Sequence, residues 1–257
     1  MCVILASCSK SKDLDYNLNE TGQIKLKFDH NVNGKKLVLN NYEYTNGSNE
    51  TFTVETAKYF ISNISLTDSK GNKYTLPKKE SYFLIDAAVD SSLFPKFNIP
   101  QGEYSSIEFN IGIDSLTNTL PIEERIGVLD IAQSDMYWSW NAGYIFFKLE
   151  GYSVHSTSID NKYRYHIGLY GGYNSPTVNN NRIIKIDLNQ AGVAKVQKGL
   201  SSDIHLMVDL GKIFDSTNKI SIAKNSTVMT AGPHQLIADN YSTLFTHDHT
   251  HNFQPLK

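Results

Sequence analysis

Three histidines near the carboxyl end of the chain have a spacing that could form a metal site. They occupy alternate positions in the run His247-Asp248-His249-Thr250-His251. In an extended strand, alternate side chains point to the same side, so this spacing predicts three imidazoles on one face. Imidazole nitrogens bind copper and zinc well, so the segment could chelate either ion. The alternative is a set of mobile terminal side chains that bind no metal.

His30 follows a run in which apolar and polar residues alternate. Ile24, Leu26 and Phe28 share its parity, so the pattern predicts a half-buried strand with His30 facing inward at the edge of a sheet. Two interpretations remain open for His30. It is either a core-edge histidine held by a backbone carbonyl, or a metal ligand whose ring is oriented by that same bond.

His166 lies in a second alternating run, Tyr163-Arg164-Tyr165-His166-Ile167-Gly168-Leu169. Its parity is opposite to that of the apolar positions, so the pattern predicts that His166 shares a face with Arg164 and Gly168. A solvent-exposed or cross-strand-paired histidine and a functional histidine both fit this position.

The three remaining histidines are less informative. His205 shares an outward strand face with Met207, which predicts a solvated pair. His155 and His234 fall in predicted loops, and the sequence assigns no role to either.

Both tryptophans of the chain lie in one aromatic segment, Met136-Tyr137-Trp138-Ser139-Trp140-Asn141-Ala142-Gly143-Tyr144. Large aromatic side chains are commonly core anchors. However, Trp138 and Trp140 share parity, and two neighbouring indoles also fit the floor of a pocket or an exposed stacking platform.

Composition and charge exclude several classes of function. The 257 residues carry a formal net charge of −2, without the clustered Lys and Arg that nucleic-acid binding requires. No apolar run approaches the roughly 20 residues that span a bilayer. Two cysteines exclude a disulfide scaffold and any multi-cysteine metal site. The sequence has no Gly-rich phosphate loop, nucleophile elbow or His-Glu-x-x-His motif, so we do not expect an enzyme.

Many short alternating runs separated by Gly, Asn and Pro predict an all-β fold, a single antiparallel β-sandwich over residues 23–257. Helical signals are few, and they predict short turns at 121–126 and 210–214. Strands are predicted at 23–28, 59–67, 73–76, 81–86, 107–113, 144–151, 163–169, 182–188 and 204–210.

The amino terminus has the features of an export signal. Leu5-Ala6-Ser7-Cys8 resembles a bacterial lipobox, in which the chain is cleaved before a cysteine that receives lipid. We therefore predict that residues 1–7 are the remnant of a lipoprotein signal, that Cys8 is the lipid attachment site, and that residues 8–22 are a polar tether. This interpretation places the protein in the periplasm or at the outer membrane, attached to the membrane through its lipid.

The segment from Trp138 to Gly151, with its Trp-x-Trp-Asn-x-Gly-Tyr motif, resembles the MbnP family. These are exported proteins, several of which handle copper and are linked to methanobactin or to surface copper uptake in methanotrophs. The similarity is strongest to the lipoprotein branch from Bacteroidetes and extends from about Gln23 to His251. It also includes Phe28-Asp29-His30, Tyr59-Phe60-Ile61-Ser62-Asn63-Ile64-Ser65-Leu66, Gly112-Ile113-Asp114, His166-Ile167-Gly168, Ala238-Asp239-Asn240-Tyr241, Phe245 and His249.

The resemblance implies a β-sandwich that binds copper through histidines and a tryptophan oxidised to kynurenine. On the matched positions it implies His30 and His166 as ligands, His249 as a third, and Trp138 or Trp140 as the modified indole. It also implies a partner, which is either a diheme oxidase or an outer-membrane transporter.

Two functions follow from these observations. The first is a non-catalytic, lipid-anchored copper-binding protein for copper acquisition, storage or handling. The second is a surface lipoprotein that binds a glycan or a protein on an aromatic platform formed by Trp138 and Trp140. Convergence of the His30 and His166 rings beneath buried indoles would favour copper at these residues, whereas exposed indoles would favour the platform.

Overall fold

The computed structural model describes residues 16–133 and 135–256 and confirms the all-β class. The predicted lipobox and Cys8 lie outside the described residues. The first strand begins at Thr21, two residues before the predicted start of the domain. No helix among residues 16–133 and 135–256 is long and apolar enough to cross a membrane.

Seventeen strands occur in the described part of the chain. In chain order they are β1 (Thr21–Val32), β2 (Lys35–Lys36), β3 (Tyr44–Thr45), β4 (Thr51–Phe52), β5 (Thr56–Asp68), β6 (Lys73–Thr75), β7 (Tyr82–Asp86), β8 (Lys96–Pro100), β9 (Gly102–Ile111), β10 (Tyr137–Ser139), β11 (Gly143–Tyr152), β12 (Lys162–Gly168), β13 (Arg182–Asp187), β14 (Ala194–Val196), β15 (Leu200–Asp209), β16 (Thr227–Val228) and β17 (Phe245–Pro255).

Helical structure is short, as the sequence predicts. Both predicted turns are confirmed as 3₁₀ helices, at Ile122–Glu124 and Leu210–Ile213. The other helices described are α1 (Ser115–Asn118), α2 (His234–Tyr241) and 3₁₀ turns at Lys78–Glu80, Asp90–Leu93 and Gly127–Leu129.

A five-stranded sheet forms one layer, in the order β17-β15-β1-β2, with β8 also paired to β1. β1 and β15 run parallel, from the pair Gln23 and Ser201 to the pair Asn31 and Asp209. This pairing differs from the purely antiparallel sandwich that the sequence predicts. The two strands are joined by a long crossover, which a parallel pair requires. The alternation of apolar and polar residues within a strand does not show in which direction its partner runs, so the sequence could not predict this pairing.

A ten-stranded sheet forms the second layer. Its main path is β13-β9-β5-β11-β12-β16, with β6 and β7 on β5, β14 on β9 and β10 on β11. A separate two-stranded ribbon joins β3 and β4. The central strand β5 is buried along most of its length, because other elements cover both of its faces.

The main core lies between the two sheets and is rich in aromatic residues. Phe28 of β1 makes edge-to-face contacts with Tyr59, Phe109 and Phe245, at ring-centroid distances of 6.1, 6.4 and 6.2 Å. Each such contact contributes about 0.5–1.5 kcal/mol beyond the area that it buries. A second, smaller core contains Phe60, Met136, Tyr144 and Tyr170, where the aromatic segment covers the other face of the ten-stranded sheet.

Candidate metal centre

Three histidines from β15 and β17 meet on the outer face of the five-stranded sheet. His205 is paired directly with His249, and His251 lies two residues further along β17. One ring nitrogen from each histidine lies within 4.8 Å of the other two. The Nε2 atoms of His249 and His251 are 3.0 Å apart, and the His205 ring lies 4.2 Å from that of His249 between centroids. We refer to His205, His249 and His251 as the histidine cluster.

A β-bulge determines which histidines of the tail join the cluster. His249 pairs with His205, but His247 pairs with the next residue, Leu206, so Asp248 is an extra residue in β17. The extra residue inverts the alternation. His247 therefore lies on the side of buried Leu206, and its Nε2 is hydrogen-bonded to Oγ1 of Thr250 at 2.9 Å. The prediction that all three tail imidazoles share one face is wrong, because strict alternation does not hold across a bulge.

The bulged residue also orients a member of the cluster. The Oδ2 atom of Asp248 lies 2.8 Å from Nδ1 of His249 and accepts a hydrogen bond from its N–H group. This hydrogen bond leaves Nε2 of His249 as the ring nitrogen that faces His251. A carboxylate on the far nitrogen of an imidazole is the usual second partner of a metal-binding histidine, because it fixes the tautomer and raises the basicity of the ligand.

We expect that replacing Asp248 with alanine weakens the affinity of the histidine cluster for a metal ion by about 10-fold or more, as loss of such a carboxylate does at other metal sites. The side chain is exposed, so the fold should not change. Affinity can be measured by titrating the metal-free protein against a competing chelator. Glu124→Ala, which removes an exposed carboxylate from the 3₁₀ helix Ile122–Glu124, is the control. An Asp248→Ala protein with wild-type affinity would show that this carboxylate does not orient the ligand.

The surroundings of His205 favour its neutral imidazole. Burial lowers the pKa of His205 to about 4, and the neighbouring His249, Lys27 and His251 lower it further, against the opposing effect of Asp29. A neutral ring is the form that binds a metal ion. The sequence predicts a solvated pair of His205 and Met207. That prediction is wrong for His205, which packs against two other histidines.

Three imidazole nitrogens fit copper or zinc. Ligand nitrogens about 2.0–2.1 Å from a tetrahedral ion lie about 3.3 Å from one another. The observed separations of 3.0 Å and of at most 4.8 Å would close on an ion by small side-chain rotations. Among divalent ions, nitrogen ligands bind copper more tightly than zinc. A fourth coordination position would face solvent, because His251 is exposed.

His30 lies where the alternation predicts, facing inward with only 8% of its surface exposed. Its Nε2 atom lies 3.0 Å from the hydroxyl oxygen of Tyr59, which is completely buried. Its ring partner is thus a tyrosine hydroxyl rather than a backbone carbonyl. Burial lowers the pKa of His30 to about 4, with Asp29 opposing that shift.

His166 lies on the outer face of the ten-stranded sheet, as its parity predicts. Its Nε2 atom lies 2.6 Å from Oε1 of Glu150 on the neighbouring strand. Burial lowers the pKa of His166, while Glu150 acts in the opposite direction. The ring of Trp138 covers Gly168, two residues along β12, where a Cβ atom would lie 2.9 Å from its Cζ3. His166 and Trp138 therefore lie near each other on one face.

The structure does not bring His30 and His166 together. His166 pairs with Lys148, whereas Tyr59, the partner of His30, pairs with the adjacent Phe147. Adjacent residues of a strand point to opposite faces, so the ten-stranded sheet separates the two histidines. They cannot share one ion in this arrangement.

The two indoles have different surroundings. Trp138 is half-buried over Gly168, whereas Trp140 is 38% exposed. The guanidinium of Arg125 lies 4.4 Å from the ring centroid of Trp140 and covers one of its faces. Tyr173 lies beside Trp140, with the ring centroids 6.0 Å apart. A stacking surface here would be formed by Trp140 and Tyr173 rather than by the two tryptophans.

Comparison with known proteins identifies the family. A family model described as MbnP matches residues 21–230. The chain belongs to the MbnP family. Its structure is similar to that of MbnP from Methylosinus trichosporium, with a TM-score of 0.60 and 18% identity over 83% of this chain and 82% of that chain. At this identity the likeness shows the fold alone. No curated protein matches the chain.

The MbnP match includes His30, His166, Trp138, Trp140 and His205, but it ends before His249 and His251. Two members of the histidine cluster are therefore outside the matched region. Sequence reasoning singled out His249 and His251, together with His247, and missed their partner His205. The alternation in the tail was the sequence signal for the histidines of β17. No such signal exists for His205, because only the order of the strands in the sheet places it beside β17.

Proposed function

We propose that this protein is an exported, lipid-anchored member of the MbnP family that binds copper without catalysing a reaction, and that His205, His249 and His251 hold the ion. The observation that carries the proposal is the convergence of three imidazole nitrogens within 4.8 Å, in a chain of a copper-related family. This ligand set replaces the pair His30 and His166, which the sheet separates.

The donor chemistry supports copper as cargo. The cluster consists only of imidazole nitrogens, which suit copper, and the open fourth position would allow a partner to exchange ligands with the ion. Such a partner is expected to be an outer-membrane transporter or a diheme oxidase, as the family resemblance implies. Attachment through Cys8 would keep the protein at the periplasmic or outer-membrane surface where those partners act.

Titration of the metal-free protein with Cu(II) and with Cu(I), each against a competing chelator, tests the proposal. We expect one tightly bound ion per chain. The triple variant His205→Ala/His249→Ala/His251→Ala should lose it, whereas His155→Ala, which alters an exposed loop histidine, should keep it. Absence of binding by the wild-type protein would refute the proposed function.

The residues implied by the resemblance provide a direct alternative within the same experiment. His166 and Trp138 lie on one face of the ten-stranded sheet, remote in the fold from the cluster on β15 and β17. If His166→Ala loses the ion and the triple variant keeps it, the copper site lies on that face of the ten-stranded sheet and not at the histidine cluster. Intact-mass measurement of protein from the native host would show whether either tryptophan is oxidised to kynurenine.

A further inference from the structure

A cleft that contains no residue of the histidine cluster lies beside the aromatic segment. It has a volume of about 660 Å³ and lies between the aromatic segment, the loop that follows β12, and the start of α2. This volume falls within the range of about 300–1,000 Å³ that is usual for small-molecule sites. Its polar side chains include those of Ser139, Asn141, Thr177, Thr230 and His234.

A buried amide fixes the tautomer of His234. Nδ2 of Asn180, a residue with no exposed surface, lies 2.7 Å from the carbonyl oxygen of Gly168 and 3.1 Å from Nδ1 of His234. A carbonyl oxygen only accepts, so the amide nitrogen must donate to both atoms. Nδ1 of His234 is therefore an acceptor, and the ring proton lies on Nε2. His234 is one of the residues that line the cleft, and in this tautomer its N–H donor is at Nε2.

One side chain of the family motif shapes the wall of the cleft. Oδ1 of Asn141 accepts hydrogen bonds from the backbone N–H groups of Tyr173, Asn174 and Ser175, at 3.2, 2.9 and 3.0 Å. These bonds fold the loop after β12 against the aromatic segment. Leu169, at the base of this loop, has a φ of 73°, a left-handed conformation that is unusual for a bulky residue and tends to occur at functional sites.

The lining is uncharged. No Asp, Glu, Lys or Arg is among the residues that line this cleft in the described part of the chain. The same loops carry the exposed aromatic pair, Trp140 and Tyr173, of which Tyr173 is 61% exposed. Hydroxyl and amide groups beside exposed aromatic rings fit a ligand that has many hydroxyl groups, apolar C–H faces and no charge.

We propose that this cleft, together with Trp140 and Tyr173 of the loops that line it, binds a neutral carbohydrate. The sugar ring would stack on the Tyr173 side of the aromatic pair, since Arg125 already covers one face of Trp140. Its hydroxyl groups would accept from Nε2 of His234 and exchange hydrogen bonds with the hydroxyl of Thr230. The site is separate from the histidine cluster, and it does not depend on copper binding.

Affinity electrophoresis of the metal-free protein tests the proposal, with gels that contain xyloglucan, galactomannan, glycogen or arabinoxylan as neutral probes. We expect at least one neutral polysaccharide to retard the wild-type protein. Tyr173→Ala should weaken that binding by about 5- to 10-fold through loss of stacking. Thr230→Val, which removes only a hydroxyl, should weaken it by about 5-fold. Both side chains are exposed, so neither change should affect folding.

Tyr152→Ala is the matched control, because it removes an exposed tyrosine from the end of β11, and Tyr152 does not line the cleft. A gel with anionic polygalacturonate tests the requirement for a neutral ligand. The proposal is overturned if no neutral polysaccharide retards the protein, if only polygalacturonate does, or if both cleft variants bind as the wild type does. Copper titration of the same preparations tests the proposed copper binding independently, so failure of one proposal can be distinguished from failure of the other.

Discussion

Replacing His205 with alanine should lower the affinity for Cu(II) by more than about 100-fold, because loss of a direct ligand should exceed the 10- to 100-fold cost of losing its supporting partner. The ring of His205 contacts those of both His249 and His251, and it is the member of the cluster that β15 contributes. Its removal would leave His249 and His251 as a two-nitrogen site on one strand. We expect the variant to fold normally, because the side chain lies on the outer face of the sheet.

The matched control is His247→Ala. His247 belongs to the same histidine-rich tail, but the bulge at Asp248 places it on the other side of β17, where it bonds with Thr250. This variant should bind copper within about twofold of the wild type, because it removes no ligand of the cluster. Chelator competition gives the affinities, and nitrogen hyperfine structure in the Cu(II) EPR spectrum reports the ligands. Equal losses in the two variants would mean that the tail binds copper without the geometry described here.

The second large effect concerns His30 and the dependence of stability on pH. The pKa of this histidine is about 4 in the folded protein, compared with a usual value of 6.5. Below pH 6.5 the unfolded chain gains a proton at His30 that the folded protein does not take up until about pH 4. The free energy of unfolding should therefore decrease as the pH is lowered from about 6.5 to about 4. His30 should account for up to about 3 kcal/mol of that decrease.

His30→Gln isolates this contribution, because an amide can still bond with the Tyr59 hydroxyl but does not titrate. Urea denaturation between pH 7.5 and 4.5, with chelator present to remove metal, should give a shallower pH dependence for the variant than for the wild type. His155→Gln, in an exposed loop, should show the wild-type slope. Parallel curves for His30→Gln and the wild type would show that His30 takes up its proton at an ordinary pH.

Alternation along single strands was the part of the structure that could be predicted. Ile24, Leu26 and Phe28 are buried, and His30 follows them inward, because one face of β1 packs against the ten-stranded sheet. His166 lies on the outward face of β12, because the alternate residues of that strand are buried on its other face. Period-two patterns report burial within a strand directly, so these side-chain directions follow from the sequence.

Contacts between strands could not be predicted in this way. The cluster exists because β15 lies beside β17, and nothing in the sequence around His205 specifies that neighbour. The bulge at Asp248 then selects His249 and His251 over His247, through a local irregularity that has no strong sequence signal. His30 and His166 both remained candidate ligands because the sequence does not reveal that a sheet lies between them.

The parallel pairing of β1 with β15 has a consequence for the order in which the protein can assemble. β1 emerges from the ribosome long before its neighbour β15 and the edge strand β17, because most of the described strands lie between them in the chain. Contacts between such distant segments give a high contact order and slow folding. The three imidazoles can meet only after the last strand has joined the sheet. If the protein is exported unfolded, as the proposed function implies, it would cross the membrane before the proposed metal site could form.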